Sequence, residues 1–159
     1  MTNTMKAARW HAAKDIRVES TEIPEPKTGQ VKIAVHFAGI CGSDLHEYVH
    51  GPQLIPVDQP YPLNGHQGTT TLGHEFSGVI DAIGEGVHHL KVGDRVVVEP
   101  IFKNFDSPFI TNGAYNLSEP LGFVGLSSNG GFAPYAVVED YMVHKIPDSM
   151  SFEKGALVQ

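Results

Sequence analysis

The chain has 159 residues, of which 41% are hydrophobic and 18% are charged, with a formal net charge of −7. This acidic balance argues against nucleic acid or an anionic membrane surface as a partner. No apolar run approaches the roughly 18–20 residues that a membrane-spanning helix requires, and the first residues do not resemble a signal peptide. A single cysteine, Cys41, excludes an intrachain disulfide framework, so we expect a cytoplasmic protein.

Most of the chain reads as short strands separated by glycine and proline. Residues 30–38 give the clearest pattern, because strongly apolar side chains occupy every second position, as in a half-buried strand. Residues 79–83 and 95–99 predict two further strands, and residues 133–138 and 141–146 predict another pair. Seventeen glycines and eleven prolines indicate many tight connections. The sequence therefore predicts a mostly β fold, a sandwich or barrel with short helices.

Two short segments have helical features. Residues 43–48 predict a helix capped by Ser43. Residues 151–158 predict the first turns of a second helix, with Ser151 as its N-cap. Because that helix has barely begun at Gln159, we expect the chain to be one part of a longer protein.

Two motifs contain side chains that could bind a metal, CGSDLH at residues 41–46 and GHEFSG at residues 73–78. Taken alone, Cys41 suits a buried free thiol, and His74 with Glu75 suits a surface pair in a glycine-rich turn. Taken together, they supply a thiolate, an imidazole and a carboxylate, a ligand set that suits Zn²⁺ and leaves a coordination position open. An open position lets a metal acidify an alcohol or polarise a carbonyl. The residues alone make this one hypothesis among several.

The second motif, extended by Gly84 and Val87, resembles the signature of zinc-containing alcohol dehydrogenases at every fixed position. Further similar stretches follow in the family's order, at residues 38–46, 91–96 and 130–135. The resemblance covers essentially the whole chain. It implies that residues 1–159 form a GroES-like β-barrel catalytic domain, truncated before the Rossmann nucleotide-binding domain and the C-terminal completion of complete family members.

Residues 74–79, 116–126 and 155–158 resemble one subgroup, the 2,3-butanediol dehydrogenases and their sorbitol dehydrogenase relatives. The resemblance implies an NAD- or NADP-dependent enzyme that interconverts a secondary alcohol or vicinal diol, such as 2,3-butanediol, with its ketone. The partners implied are this small-molecule substrate and, for the full-length enzyme, further copies of itself. We expect the isolated chain to be inactive, because it lacks the domain that binds nicotinamide.

The same resemblance implies roles for particular residues. Cys41, His74 and Glu75 would surround one catalytic zinc ion. Ser43 would contact the substrate oxygen and pass its proton outward, and His46 would be a later member of that relay. The other histidines have no ligand spacing, and we expect them to be solvated or satisfied locally.

The chain departs from the subgroup at Gln159, where the subgroup usually has a glutamate that binds the metal or its water. Glutamine keeps an oxygen acceptor but removes a negative charge. We therefore expect the site to hold zinc less tightly and to polarise a carbonyl more strongly.

A second departure concerns a structural zinc ion that the family binds with four cysteines in a lobe after the Glu-Pro pair. The corresponding positions in this chain are Asn104, Ser107, Ile110 and Ser118, and none supplies a thiolate. We therefore expect no structural zinc. We expect the apolar side chains of the lobe to hold it instead; these are Phe102, Phe105, Phe109, Ile110 and Leu117.

Two alternatives to the zinc dehydrogenase belong to other classes. The chain could be a GroES-like module that binds a partner without turnover, or a zinc-free relative of quinone reductases. Quinone-reductase relatives lack the cysteine and the Gly-His-Glu motif, so the presence of Cys41 and His74 favours the zinc dehydrogenase over a quinone-reductase relative.

Overall fold

The computed structural model of the protein describes residues 3–158. The elements of these residues, in chain order, are β1 (Thr4–Ala12), β2 (Asp15–Glu22), β3 (Gln30–Gly39), α1 (Gly42–His50), β4 (Thr70–Thr71), β5 (Glu75–Ile83), β6 (Arg95–Val98), β7 (Tyr135–Glu139), β8 (Val143–Lys145) and α2 (Phe152–Gly155). Short 3-10 turns lie at Tyr115–Leu117 and Asp140–Met142. The fold is mostly β with short helices, as predicted. Neither of the two α-helices in residues 3–158 is long and apolar enough to cross a membrane.

The strands form two antiparallel sheets within the described residues. One has the order β2-β1-β4, and the other has the order β7-β3-β5-β6-β8. The central pair, β3 and β5, aligns Gly39 with Glu75 at one end. This pairing brings the end of β3 and the start of β5 together, although the two segments are far apart in the sequence.

Strand β3 departs from the predicted alternation at Lys32 and at Phe37. Val31 and Ile33 are fully buried, as expected, but Lys32 between them is also buried. Its ammonium lies 3.1 Å from carboxylate oxygens of both Glu25 and Asp81, so the buried charge is compensated. Phe37 is exposed because the register with β5 shifts just before it.

The structure corrects one local prediction: the first helix has Cys41, rather than Ser43, as its N-cap, and the backbone N–H of Cys41 donates to Asp44 Oδ2 at 2.9 Å. The two strands predicted at residues 133–138 and 141–146 are present as β7 and β8. They lie at opposite edges of the larger sheet, separated by the 3-10 turn at Asp140–Met142. The second helix has Ser151 as its N-cap, as predicted, and the Ser151 side chain accepts a hydrogen bond from Lys154 N.

Two apolar clusters stabilise the fold. The larger one packs side chains of β3, β5, β6, β7 and β8 against one another. The smaller one is centred on Trp10 of β1, a strand that the sequence analysis did not identify, and includes Ile55, Leu72 and Leu126. Trp10 Nε1 also donates to the backbone oxygen of Glu47 at 2.9 Å. This bond fixes helix α1, which carries part of the candidate site, to the smaller sheet.

Candidate metal centre

The three residues with metal-ligand chemistry come together at the end of the β3–β5 pair. Cys41 lies two residues after the end of β3 and is the N-cap of α1, while His74 immediately precedes β5 and Glu75 is its first residue. The sulfur of Cys41, a ring nitrogen of His74 and a carboxylate oxygen of Glu75 all lie within 4.8 Å of one another. That spacing suits three ligands of one tetrahedral ion.

His74 is oriented by neighbours on both ring nitrogens. Its Nε2 lies 3.2 Å from Ser43 Oγ, and its Nδ1 lies 3.6 Å from Asp44 Oδ1. The second distance is longer than a hydrogen bond, and Nδ1 has no hydrogen-bond partner among the described residues. Nε2 therefore faces the Ser43 hydroxyl, while Nδ1 faces a carboxylate that favours a proton on that nitrogen.

Asp44 joins the two segments that carry the candidate ligands. It is 4% exposed, and its oxygens accept hydrogen bonds from Cys41 N at 2.9 Å and Gly73 N at 3.4 Å. The sequence analysis gave Asp44 no role. A carboxylate three residues after the N-cap can bond back to the cap residue, and this pattern was the available signal.

The electrostatics of the cluster lower the pKa of its thiol and raise the pKa of its imidazole. Hydrogen bonds from the Ser43 side chain and backbone hold the pKa of the Cys41 thiol below its usual value. Burial alone would lower the pKa of His74, but Asp44 and Cys41 offset it and raise the pKa to about 9. A metal cation bound here would compete with the proton on the His74 ring and with the proton of the Cys41 thiol, so metal binding would release protons.

Glycine at position 39 leaves space for the Glu75 carboxylate. A Cβ built on Gly39 would lie 2.6 Å from Glu75 Oε2, closer than real Cβ atoms approach. The residue opposite Glu75 in the β3–β5 register must therefore lack a side chain if the carboxylate keeps this position.

The remaining predicted site residues lie differently. Ser43 is half-buried and contacts His74. His46 lies on the exposed surface of α1 and is not among the residues that line the cavity beside the cluster. Gln159 lies outside the described residues.

A cavity of about 580 Å³ adjoins the cluster. Cys41, Ser43, His74 and Glu75 line it, and most of the remaining wall is apolar; Leu54, Ile101, Phe123 and Leu126 are among its residues. Glu99 and His144 also reach this cavity. A separate cavity of about 310 Å³ along β7 is lined by none of the predicted site residues.

The lobe, defined here as residues 102–121, does not have the apolar core that the sequence analysis predicted. Phe102 is buried, but Phe105, Phe109 and Leu117 are between 42% and 64% exposed. Of the five apolar side chains predicted to hold the lobe, only Phe102 is buried in the main apolar cluster, so the prediction was wrong for the other four.

The β fold brings the thiol of Cys41, the imidazole of His74 and the carboxylate of Glu75 together beside a largely apolar cavity. This arrangement defines a domain with a candidate metal centre next to a ligand-sized cavity. Residues 27–148 match the family described as the alcohol dehydrogenase GroES-like domain. The chain belongs to this family, which confirms the resemblance and the fold predicted from the sequence.

Comparison with individual proteins gives the same result. The chain is 54% identical over 156 residues to (R,R)-butanediol dehydrogenase of Bacillus subtilis, covering 98% of this chain and 44% of that protein. The crystal structure of 2R,3R-butanediol dehydrogenase from Bacillus subtilis superposes with a TM-score of 0.90 at 55% identity, covering 97% of this chain and 44% of that one. The chain therefore spans less than half the length of this relative.

Two more distant relatives are also similar. Sorbitol dehydrogenase of Gallus gallus is 38% identical over 152 residues, covering 94% of this chain and 40% of that protein. A dehydrogenase from Sinorhizobium meliloti 1021, described as zinc-binding and solved bound to NADP, superposes with a TM-score of 0.83 at 32% identity, covering 98% of this chain and 42% of that one.

Proposed function

We propose that the chain is the metal-binding catalytic part of a zinc-dependent NAD(P) oxidoreductase. The reaction is the interconversion of a secondary alcohol or vicinal diol, such as 2,3-butanediol, with its ketone. The observation that carries the proposal is the clustering of Cys41, His74 and Glu75 within 4.8 Å beside a largely apolar cavity. The similarity to (R,R)-butanediol dehydrogenase supports the diol as substrate.

The donor set fits zinc. Cys41, His74 and Glu75 offer the sulfur, nitrogen and oxygen atoms that this ion accepts, and three protein ligands leave one position for substrate. When bound, zinc would supply a Lewis acid that makes an alcohol more acidic and polarises a carbonyl. The acidic surroundings of His74, with Asp44 at 3.6 Å from Nδ1, would keep its ring oriented toward such an ion.

The chain's own residues would move the proton that alcohol oxidation releases. The Ser43 hydroxyl lines the cavity and lies 3.2 Å from His74 Nε2, so it can take a proton from a substrate hydroxyl at the cluster. His46 follows three residues later on the same helix face and is exposed, so it could pass the proton to water. The nicotinamide cofactor would accept the hydride.

Gln159 is proposed as a fourth residue that binds the zinc ion, either directly through its side-chain oxygen or through a water molecule. The neighbouring residue, Val158, lines the cavity. Glutamine would leave Cys41 and Glu75 as the anionic ligands.

The relatives' greater length supports the further proposal that residues 1–159 form one catalytic domain of an enzyme that also contains a nucleotide-binding domain. We also propose, from the family resemblance, that the full-length enzyme is a homo-oligomer and resides in the cytoplasm. The clustering of Cys41 with His74 favours this zinc enzyme over a zinc-free quinone-reductase relative or a module that only binds a partner.

Metal binding by the purified 159-residue chain tests the proposal. We expect one zinc ion per chain, and we expect Co²⁺ in its place to give the near-ultraviolet charge-transfer band of a cobalt–thiolate bond. Cys41→Ala should abolish that band and weaken zinc binding at least 100-fold, because it removes the only thiolate.

His88→Ala, which removes an exposed histidine, is the matched control and should bind metal like the unaltered chain. Zinc binding that is equally tight without the Cys41 sulfur would refute the proposed centre. Activity is tested in a second step, with the chain joined to the remaining part of the Bacillus subtilis relative. This fusion should oxidise 2,3-butanediol only when Cys41 is present.

A further inference from the structure

Glu99 stands where the larger sheet meets the lobe at residues 102–121; the two sheets, with the 3-10 turn between β7 and β8, are together called the barrel. It follows the last residue of β6, and its backbone N–H donates to Met142 O at 2.7 Å. The backbone at this point is therefore held by the barrel, while the side chain reaches toward the lobe.

The Glu99 carboxylate binds three groups. The Tyr115 hydroxyl donates to its Oε1. On the other oxygen, His144 Nε2 lies at 3.2 Å and Lys103 Nζ lies at 3.9 Å. Tyr115 and Lys103 belong to the lobe, and His144 belongs to β8. One carboxylate thus connects the lobe to two strands of the barrel.

The Lys103 ammonium continues this connection. It lies 4.1 Å from the ring centroid of Tyr115 and 5.2 Å from that of Tyr141, and its backbone N–H contacts the Tyr141 hydroxyl at 3.2 Å. Phe105 packs edge-on against Tyr141 at 5.4 Å. These are cation–π and aromatic contacts between a barrel residue, Tyr141, and the lobe.

The lobe positions where relatives would have cysteine form local turns. Ser107 N donates to Asn104 O at 3.0 Å, Ile110 N donates to Ser107 O at 3.2 Å, and Ser118 Oγ donates to Tyr115 O at 2.5 Å. These bonds shape the lobe internally but do not attach it to the barrel. The charged part of the attachment converges on Glu99. The lobe also contacts the rest of the fold through Phe102 in the main apolar cluster and through the Tyr61 hydroxyl, which donates to Pro120 O at 2.9 Å.

We propose that Glu99 is the positioning residue that fixes the lobe to the barrel through its contacts with Tyr115, Lys103 and His144. Burial of Glu99 would raise its pKa, but Tyr115, His144 and Lys103 hold the pKa below its usual value, so the carboxylate remains charged at neutral pH. The anchor is therefore a charge-assisted hydrogen-bond cluster rather than a set of thiolates.

The same anchor shapes the wall of the cavity. Glu99, Pro100 and Ile101 line the cavity beside the candidate metal centre. Ile101 is bridged to Phe123, another wall residue, and Phe102 N donates to Gly122 O at 3.0 Å at the base of the lobe. A loosened lobe would therefore change the wall. This second consequence rests on the proposed function, because it takes the cavity to be where substrate binds.

Hydrogen exchange of the 159-residue chain, followed by mass spectrometry, tests the anchor directly. In Glu99→Ala, the lobe amides of Ala114, Leu117 and Ser118 should exchange about tenfold faster, because loss of a charged acceptor leaves its donors unpaired. Exchange in β3 and β5 should change less than about twofold. Equal acceleration of lobe and barrel, or no acceleration of the lobe, would overturn the proposal.

Two variants separate anchoring from a general loss of stability. Glu99→Gln keeps one acceptor oxygen and should restore part of the lobe protection that Glu99→Ala removes. Glu119→Gln changes an exposed carboxylate in the same lobe and should leave exchange unchanged. A Glu119→Gln effect as large as that of Glu99→Gln would refute a specific role for Glu99.

Coupling and metal content complete the test. Tyr115→Phe should accelerate lobe exchange, and adding it to Glu99→Ala should have no further effect, since both remove one contact. If the effects of Tyr115→Phe and Glu99→Ala on lobe exchange were fully additive, Tyr115 and Glu99 would not act through a shared contact.

Zinc sulfate should bind at the Cys41 site equally in the unaltered chain and in Glu99→Ala. A second zinc ion that slows lobe exchange would overturn the proposal. Failure of zinc to bind at Cys41 would instead count against the proposed function alone.

Discussion

In both the candidate metal centre and the lobe, a chain segment is held against the barrel. The side chains that hold it differ between the two regions. At the centre, Cys41 and His74 come from segments that the β3–β5 pairing brings together, and their ligand atoms cluster within 4.8 Å. In the lobe, the positions at which the family resemblance implies cysteine are Asn104, Ser107, Ile110 and Ser118, and the charged contacts that attach the segment are those of Glu99 and its partners. The comparison shows that the absence of cysteine from the lobe does not reveal which other side chains hold the lobe in position.

The largest expected effect separates buried from exposed phenylalanine in the lobe. Phe102 is 6% exposed, packs 5.5 Å from Tyr61 ring to ring and belongs to the main apolar cluster. Phe102→Ala should therefore lower the free energy of unfolding by about 3–5 kcal/mol. Phe105 is 64% exposed, and Phe105→Ala should cost less than about 1 kcal/mol. Denaturant unfolding of the two variants provides the measurement. Similar losses would mean that the lobe has an apolar core after all.

The sequence predicted the clustering of Cys41, His74 and Glu75 better than it predicted the attachment of the lobe, for a physical reason. These three side chains stand in two short, chemically specific motifs, which are sufficient to predict that they lie together. The attachment of the lobe depends on Glu99, Lys103 and pairing between distant strands, and an isolated glutamate has many ordinary uses. Asp44 was missed for the same reason, since its role depends on contacts with Cys41 N and Gly73 N.

The fold was predicted in outline but not in detail. The alternation at residues 30–38 identified β3, which the structure extends to Gly39. The β1–β2 hairpin was missed, although it contributes Trp10 to the second apolar cluster. The assignment of β7 and β8 to opposite edges could not be inferred, because strand order depends on pairing between distant segments rather than on local pattern.

Alanine substitutions at Gly39 and Gly42 test whether the metal centre depends on close packing around Glu75. The lobe, by contrast, is proposed to depend on hydrogen bonds to Glu99. In Gly39→Ala, the new methyl group would meet Glu75 Oε2 at 2.6 Å and displace the carboxylate. We expect zinc affinity to fall about 30- to 100-fold, within the range seen when ligand positioning is disturbed. Gly42→Ala is the matched control, because a Cβ there has no atom within 4 Å.

Competition with a chromophoric chelator measures zinc affinity in both glycine variants, and hydrogen exchange of the lobe should be unaffected by either. If Gly39→Ala binds zinc as tightly as Gly42→Ala does, then Glu75 does not need its present position to bind the ion.

The smallest expected effect concerns the charge at position 159. Gln159→Glu should tighten zinc binding about tenfold, or about 1.4 kcal/mol, because a further carboxylate near a divalent cation adds Coulomb attraction. The chain should be extended beyond residue 159 by a short neutral segment, so that a terminal carboxylate does not stand beside the tested side chain. Gln67→Glu, at an exposed position, adds the same charge elsewhere and controls for net charge. Equal or weaker zinc binding in Gln159→Glu than in Gln67→Glu would show that residue 159 contributes no charge to the metal centre. The cluster of Cys41, His74 and Glu75 would then bind the ion without it.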